Sequence, residues 1–184
     1  MLVKAGAGAD PRVVASVLRF LAERKLGKRV TVAGASGGET LDLATAARLE
    51  MPVEGRAFGK QERYRIPRVL RECDKVISIA GLGQTMTNYL DFAAGAPTED
   101  PGAVVDLFSF HPADYAIGSG TAERHNVIVA ATNATAVDAV GVAVLGRDST
   151  KVAHLEMAVH RGYGSNESTA IWTRGAEVDE ASAK

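Results

Sequence analysis

The chain has 184 residues, a formal net charge of -1 and one cysteine, Cys73. This length fits one domain and is enough to bury a hydrophobic core without disulfide bonds. The near-neutral charge argues against a general nucleic-acid binder, which needs a basic face for phosphates, and against a polybasic membrane-surface protein. A lone cysteine forms no internal disulfide and holds no iron–sulfur cluster, so we expect a reducing, cytoplasmic location.

The first half of the chain predicts strands that alternate with helices. Strands are expected at residues 2–4, 29–33 and 75–80, where β-branched residues dominate. Asp10 and Pro11 are typical of a helix N-cap and first turn, and Gly27 of the end of that helix. Further helices are expected at residues 41–49, 66–72 and 85–94, and residues 51–63 are expected to be irregular.

The second half continues the alternation after a breaker-rich stretch at residues 95–102, which is either a loop or a weak boundary between two lobes. Helices are predicted at residues 104–110, 135–145 and 150–161, and strands at 115–117, 126–131 (of the buried type) and 170–173 (an edge strand). We therefore expect a single three-layer α/β domain over residues 1–175, with a largely parallel sheet and helices on both faces. Residues 176–184 predict a flexible tail.

Four predicted strands end in glycines or small polar residues just before a helix. Ligands of open α/β sheets bind at the carboxyl ends of the strands, where glycine lets a ligand approach the backbone and helix N-termini offer amides to an anion. Glycines that only make short turns are the alternative interpretation. The four ends are Gly6 with Gly8, residues 34–38, Gly81 with Gly83, and Thr132 with Asn133. The candidate ligand-binding residues are Lys4, Gly34, Ser36, Gly37, Gly38, Asn133 and Asp138.

Known nucleotide-binding motifs are missing from these ends. The first glycine turn lacks the third glycine of a dinucleotide fingerprint, and no Gly-Lys-Ser/Thr follows any glycine loop. Gly34-x-Ser36-x-Gly38 does have the spacing of a nucleophile elbow between a strand and a helix. Because no His/Asp pair is anchored by the sequence, an α/β hydrolase that uses Ser36 is only a second alternative.

Asp138 lies in a predicted helix that is apolar all round and therefore buried. A carboxylate there must be paired, solvated in a cleft or bound to a cation, so Asp138 is a candidate ligand or divalent-metal residue. The alternative is a structural carboxylate that caps a neighbouring loop or pairs with an arginine. The histidines are weak signals, since His154 and His160 do not have metal-ligand spacing. Cys73 is expected to be a packed thiol with a raised pKa.

The second half also carries a pattern that resembles a known family. Residues 126–141 read NVIVAATNATAVDAVG and are followed by VLG at 144–146, VAHL at 152–155 and RGYG at 161–164. This pattern resembles the C-terminal half of the family called domain of unknown function 362. Residues 2–4 with Asp10, Pro11, Val13 and Val14 are similar to the family's opening strand and helix, and residues 72–79 (ECDKVISI) to its middle strand.

The chain departs from that family in the loops that carry its polar residues. Family members usually have Lys-Pro-Asn after the first strand, where this chain has Lys4-Ala5-Gly6, and a lysine- and histidine-bearing run where this chain reads AGLGQT at 80–85. Many also have a ferredoxin-like cysteine module, which is absent here. The resemblance thus implies the family's framework with a partly degraded site and no iron–sulfur cluster in this chain.

Two classes of function follow. The first is an enzyme or former enzyme that binds a small anionic molecule at the strand ends, with Lys4 as the positive charge and with Asn133 and Asp138 orienting the ligand or a divalent cation. The alternative is a non-catalytic binding or assembly protein, which the lost basic residues favour. A homo-oligomer is compatible with either class, whereas neither a nucleic acid nor a membrane is expected as a partner.

Overall fold

A five-stranded sheet forms the centre of the protein. The computed structural model describes residues 1–34, 68–92, 100–121 and 124–182. The strands lie in the order β2-β1-β3-β4-β5; the first four are parallel, and β5 runs antiparallel to β4. Their bounds are Leu2–Ala5 (β1), Thr31–Gly34 (β2), Val76–Gly81 (β3), Tyr115–Ser119 (β4) and Ile128–Ala131 (β5).

Helices cover both faces of this sheet, which confirms the predicted three-layer α/β class. The helices are Pro11–Glu23 (α1), Arg68–Glu72 (α2), Pro101–Phe110 (α3), Ala134–Val144 (α4), Ala153–His160 (α5) and Val178–Ser182 (α6), with 3-10 helices at Thr87–Phe92, Ser149–Lys151 and Ser168–Ala170. α1 packs on one face, whereas α3, α4 and α5 pack together on the other. No helix in the described ranges is long and apolar enough to cross a bilayer.

Alternate residues along the strands build two separate cores. Leu2, Val76 and Ala116 point to the face of α3 and α4, while Val3, Ile79 and Ile117 point to α1. Val14 and Leu21 of α1 fill the second core. Strands buried in this way on both faces are typical of parallel sheets, which explains their nearly continuous apolar sequences.

α1 begins as predicted and ends earlier. The carboxylate of Asp10 accepts a hydrogen bond from the backbone amide of Arg12 at 2.8 Å and pairs with the guanidinium of the same residue. These contacts hold the pKa of Asp10 well below its usual range. The helix ends at Glu23 rather than near Gly27, because Lys25 already adopts a positive φ of 52°.

Several predicted elements differ from the structure. The edge strand expected at 170–173 is absent, and Ser168–Ala170 form a 3-10 helix instead. Val178–Ser182 form α6, whose Val178 packs near α4, where the sequence predicts a frayed tail. The helix expected at 85–94 is a 3-10 helix over Thr87–Phe92. The helix predicted at 41–49, the irregular region at 51–63 and most of the loop at 95–102 lie outside the described residues.

Two glycines allow α4 to contact the end of β3 closely. A Cβ at Gly141 would lie 2.7 Å from the backbone nitrogen of Gly83, and Gly83 itself has a φ of +71°. Such a distance is not tolerated without a shift of backbone, so only glycine fits at position 141. This contact sets how near α4 lies to the loop that follows β3.

We predict that Gly141→Ala destabilises the protein by about 1–3 kcal/mol, because the added methyl group forces α4 away from Gly83. The measurement is the free energy of unfolding in urea. Gly118→Ala is the matched control at the same interface, since its Cβ would meet Leu82 and Val137 at ordinary distances of 3.5 and 3.6 Å. Equal stability of the two variants would contradict the close-contact explanation.

Candidate functional site

Asp138 is fully buried and binds the loop after β3. Its Oδ1 accepts hydrogen bonds from the backbone amide and the hydroxyl of Thr85, both at 2.7 Å, and its Oδ2 accepts one from the amide of Met86 at 2.8 Å. Nine of the eleven residues of α4 are buried, as the apolar sequence predicts. The carboxylate therefore satisfies the amides at the start of the 3-10 helix Thr87–Phe92.

The protonation equilibrium of Asp138 reflects its burial. Loss of hydration raises its pKa from 3.8 to about 6, and the three hydrogen bonds from Thr85 and Met86 limit the rise. Both oxygens are directed to this loop and the side chain is 0 % exposed. The geometry fits the structural alternative for Asp138, a carboxylate that caps a neighbouring loop.

A divalent metal at Asp138 does not fit the surrounding donors. The atoms that face the carboxylate are N–H and O–H donors of Thr85 and Met86, which repel a cation. Among the residues that the structure describes, no three His, Cys, Asp or Glu side chains gather in a metal-binding arrangement.

We predict that the stability difference between wild type and Asp138→Asn depends on pH. The folded pKa lies above the unfolded value, so this group's contribution to stability is complete below pH 3.8 and is lost as the pH rises through about 6. The free energy of unfolding of the wild type, relative to that of the variant, should therefore rise by up to about 3 kcal/mol as the pH falls from about 7 to about 4. Urea unfolding at both pH values measures the gain.

Asp138→Ala separates the charge of this side chain from its hydrogen bonds. It leaves the donors of Thr85 and Met86 unsatisfied and should cost about 2–4 kcal/mol near neutral pH, more than the asparagine, which keeps an acceptor oxygen. A difference between wild type and Asp138→Asn that does not change with pH would show that the carboxylate is not buried as described.

Lys4 reaches the same segment from β1. This lysine is 2 % exposed, and its Nζ donates to Oδ2 of Asp91 at 2.9 Å and lies 3.4 Å from the carbonyl of Ala5. Lys4 and Asp138 therefore hold opposite ends of residues 85–91 but bind different atoms. The sequence analysis expects the ammonium group of Lys4 to bind an anionic ligand. In the structure this group is paired with the carboxylate of Asp91.

Asn88, which the sequence interpretation did not select, bridges β1 and β3. Its Nδ2 lies within hydrogen-bonding distance of Lys4 O (3.1 Å), Ser78 Oγ (2.9 Å) and Ile79 O (3.4 Å). Strand order reverses between these two strands, and this is the position where α/β sheets usually bind ligands. A Cβ at Gly6 would lie 1.9 Å from Oδ1 of Asn88, so the glycine here admits a side chain of the protein.

The remaining candidates do not converge. Antiparallel β5 places Asn133 at the edge of the sheet opposite the ends of β1 and β3, so grouping it with the glycine-bearing ends was wrong. Asn133 is the N-cap of α4: its Oδ1 accepts from the amide of Ala136 and its Nδ2 donates to the carbonyl of Tyr163. Gly34 ends β2 beside Ala5. Ser36, Gly37 and Gly38 lie outside the described residues.

Cys73 is a packed thiol. Burial raises the pKa of Cys73, and the charges of Asp114 and Asp74 raise it further, as the acidic sequence neighbourhood predicts. Its Sγ lies 3.5 Å from the carbonyl oxygen of Leu70 and 3.8 Å from Nδ1 of His111. The same histidine nitrogen lies 2.9 Å from this carbonyl oxygen, so the thiol and the imidazole ring both contact a carbonyl in the last turn of α2.

An open groove lies on the other face of the sheet, beside α1. It has a volume of about 1130 Å³. Val13, Val17 and Phe20 form its helical wall, and Ile77, Tyr115, Ile117, Ile128 and Ala130 form its floor. The sequence predicts that residues 126–131 are a buried strand, but Ile128 is 56 % exposed, because no helix in the described ranges covers this part of β4 and β5.

Exposed apolar residues are concentrated in this groove. The described part of the chain exposes five large hydrophobic side chains, and four of them line the groove: Phe20, Leu26, Tyr115 and Ile128. The fifth is Trp172. A contiguous exposed apolar surface marks an interaction site more often than isolated residues do.

His154 is a half-buried ionisable group whose Nε2 is shielded from solvent. Burial lowers its pKa from 6.5 to about 4. Its Nε2 has no hydrogen-bond partner among the residues that the structure describes. The fold therefore favours the neutral form, because protonation places a charge on a ring whose Nε2 is shielded from solvent.

We predict that His154→Leu loses part of the acid sensitivity of the wild type. The folded pKa is depressed, so the stability that neutral His154 contributes is complete above pH 6.5 and is lost as the pH falls through about 4. As the pH falls over this interval, the free energy of unfolding of the variant should rise by up to about 3 kcal/mol relative to that of the wild type, as measured by thermal or urea unfolding. His160→Leu, at a side chain 76 % exposed in the same helix, is the control, and an equal gain in that variant would contradict the effect of burial.

Comparisons with known proteins identify no family for this chain. No protein-family model, no curated protein and no solved structure matches the chain. The resemblance to the domain of unknown function 362 family therefore stays a prediction from the sequence.

Proposed function

We propose that the protein is a non-catalytic binding or assembly protein that acts through the groove between α1 and the β4–β5 end of the sheet. The observation that carries this proposal is that four of the five exposed large hydrophobic side chains of the described residues line this groove. The strip over β4 and the antiparallel β5 is apolar, whereas the solvated face of an antiparallel pair is usually polar. Covering it with a ligand would therefore gain free energy.

The groove also has the chemical form of a binding site. Its apolar floor is closed at one end by Asp10 with Arg12 and at the other by the ion pair of Lys75 with Asp114. An apolar surface with a few polar groups at its ends is the usual composition of ligand sites. The polar ends would limit the length and orientation of what binds.

The strand-end hypothesis has less support. Lys4 is bonded to Asp91 and Asp138 to Thr85 and Met86, so these side chains hold the fold together. A small anion or cation at residues 34–38, or a hydrolase nucleophile at Ser36, stays a prediction, because Ser36 and the glycines after it lie outside the described residues. Neither hypothesis is needed to account for the open groove.

We predict that the native protein binds the apolar dye anilinonaphthalene sulfonate in the groove, with a saturable rise in fluorescence. Ile128→Glu places a charge on the groove floor and should weaken dye binding by about tenfold or more, because burying an unpaired charge is costly. Trp172→Ala is the control: Trp172 is 85 % exposed and lies outside the groove lining.

Circular dichroism would establish that both variants fold. Dye binding that survives Ile128→Glu unchanged, or that falls equally in Trp172→Ala, would overturn the assignment of function to the groove. A thermal shift with small carboxylates or phosphates that is unaffected by Ile128→Glu would instead favour the strand-end hypothesis.

A further inference from the structure

We propose that the flank of α1 opposite the groove holds a binding site for a small amphiphile, a free molecule with one apolar chain and an anionic head group. The site is a separate pocket between α1 and the edge strand β2, with a volume of about 720 Å³. This inference goes beyond the proposed function of the groove, because it concerns the other side of the helix and a different class of ligand.

The spacing of residues on α1 produces this pocket. Residues 15, 18, 19 and 22 recur at i, i+3, i+4 and i+7, so they form one stripe along the helix. The stripe lies on the other side of Val14 and Leu21, which face the sheet, from the residues that line the groove. Ala15 and Ala22 have short side chains, which leaves a recess between this stripe and the sheet.

The opposite wall comes from the edge of the sheet. Val30 and Val32 pack with the core under α1 but are only half-buried. Leu18 and Leu26 complete the apolar lining. A pocket of several hundred Å³ that is mainly apolar, with a few polar groups, has the usual composition of a site for a small molecule.

The charged residues of the lining all have one sign. They are Arg19, Lys25 and Lys28, and no Asp or Glu is found among the described residues that line the pocket. None of the three cations is ion-paired to another described residue. The lining therefore offers positive charge for an anionic head group beside an apolar surface for its chain.

Lys25 has a backbone conformation that normally favours glycine. The amide of Leu26 donates to the carbonyl of Leu21, and the amide of Lys25 to that of Ala22, which are the hydrogen bonds of a Schellman motif. This motif gives Lys25 a φ of 52°. A lysine is strained there relative to glycine, and backbone strain is concentrated at functional sites. A cation at the pocket is the property that lysine adds at this position.

Compensation of the helix dipole accounts for only part of this charge. Cations near the carboxyl end of a helix stabilise it, but the effect is confined to the last turn. Arg19 precedes the last turn of α1, and Lys28 lies beyond the end of the helix at Glu23. An anion site accounts for all three cations.

The recessed shape favours a free amphiphile over a membrane surface. The apolar lining lies between the helix and the strand, and Leu21 at its base is buried. A protein that binds a bilayer inserts an apolar face that projects from its surface. In the pocket, burial of the apolar chain would supply most of the affinity, and the exposed cations would select the sign of the head group.

The test is isothermal titration calorimetry of the full chain with dodecanoate, dodecyl phosphate and dodecyltrimethylammonium, each below its micelle concentration. The two anions should bind at a single site, and the cation should bind at least about tenfold more weakly. Arg19→Ala should weaken binding of the anions about fivefold. Lys25→Gly should weaken it by a similar factor and leave the melting temperature unchanged or raised, because glycine relieves the strain at this position.

Arg24→Ala is the matched control, since Arg24 is an exposed cation at the same end of α1 whose guanidinium lies over Phe20, outside the lining of the pocket. Equal binding of the cationic amphiphile, an equal loss in Arg24→Ala, or no saturable binding of either anion would overturn the site. Binding to phosphatidylserine vesicles without binding of the single-chain anions would replace the pocket by a membrane surface.

The same titrations separate this pocket from the groove. Ile128→Glu should leave dodecanoate binding unchanged, and a loss in that variant would place the amphiphile in the groove and overturn the pocket while supporting the proposed function. Anilinonaphthalene sulfonate is itself an apolar anion. Fluorescence that Ile128→Glu removes therefore comes from the groove, and fluorescence that Arg19→Ala removes comes from the pocket.

Discussion

The burial of one carboxylate determines how the rest of this structure is arranged. Asp138 is 0 % exposed in a helix that is otherwise apolar, and its two oxygens accept three hydrogen bonds from Thr85 and Met86. A buried carboxylate without such donors would be unstable, so α4 and the loop after β3 must form together. The contact between Gly83 and Gly141 brings the two elements close enough for these bonds.

That arrangement closes the part of the sheet where a ligand would ordinarily bind. Once the loop is held by Asp138, the 3-10 helix that follows directs Asn88 across β1 and β3, and Asp91 towards Lys4. The amide nitrogen of Asn88 and the ammonium of Lys4 are then bonded to other groups of the chain, whereas Oδ1 of Asn88 is buried with no hydrogen-bond partner among the described residues. Lys4, Asp138 and the amide nitrogen of Asn88 therefore stabilise the fold at this end of the sheet, whereas the exposed apolar groove lies beside α1 on one face.

The sequence predicts the framework better than the site, for a physical reason. Apolar periodicity and helix caps are local, so the strands, the Asp10 cap and the buried character of α4 could be predicted. The direction of β5 depends on contacts distant in sequence, and the apolar run NVIVAA fits a parallel or an antiparallel strand equally well. Because of this ambiguity, the sequence analysis placed Asn133 at the wrong edge of the sheet and did not predict that Ile128 and Ala130 are exposed. Asp138 could be found as unusual, but only the structure shows that its partners are amides.

The antiparallel β5 also explains why the groove exists. A parallel strand would need a crossover connection, and a crossover usually brings a helix onto the sheet. The connection from β4 instead turns back directly, with the amide of Gly120 bonded to the carbonyl of Val127. The chain then continues into α4 on the face where α3 already lies. One sheet face thus holds several helices and, in the described part of the chain, the other holds only α1. The exposed side chains of Tyr115 and Ile128 are the direct consequence of this topology. The strip is therefore created by the course of the backbone rather than by a few surface side chains, which is consistent with the proposed binding function of the groove.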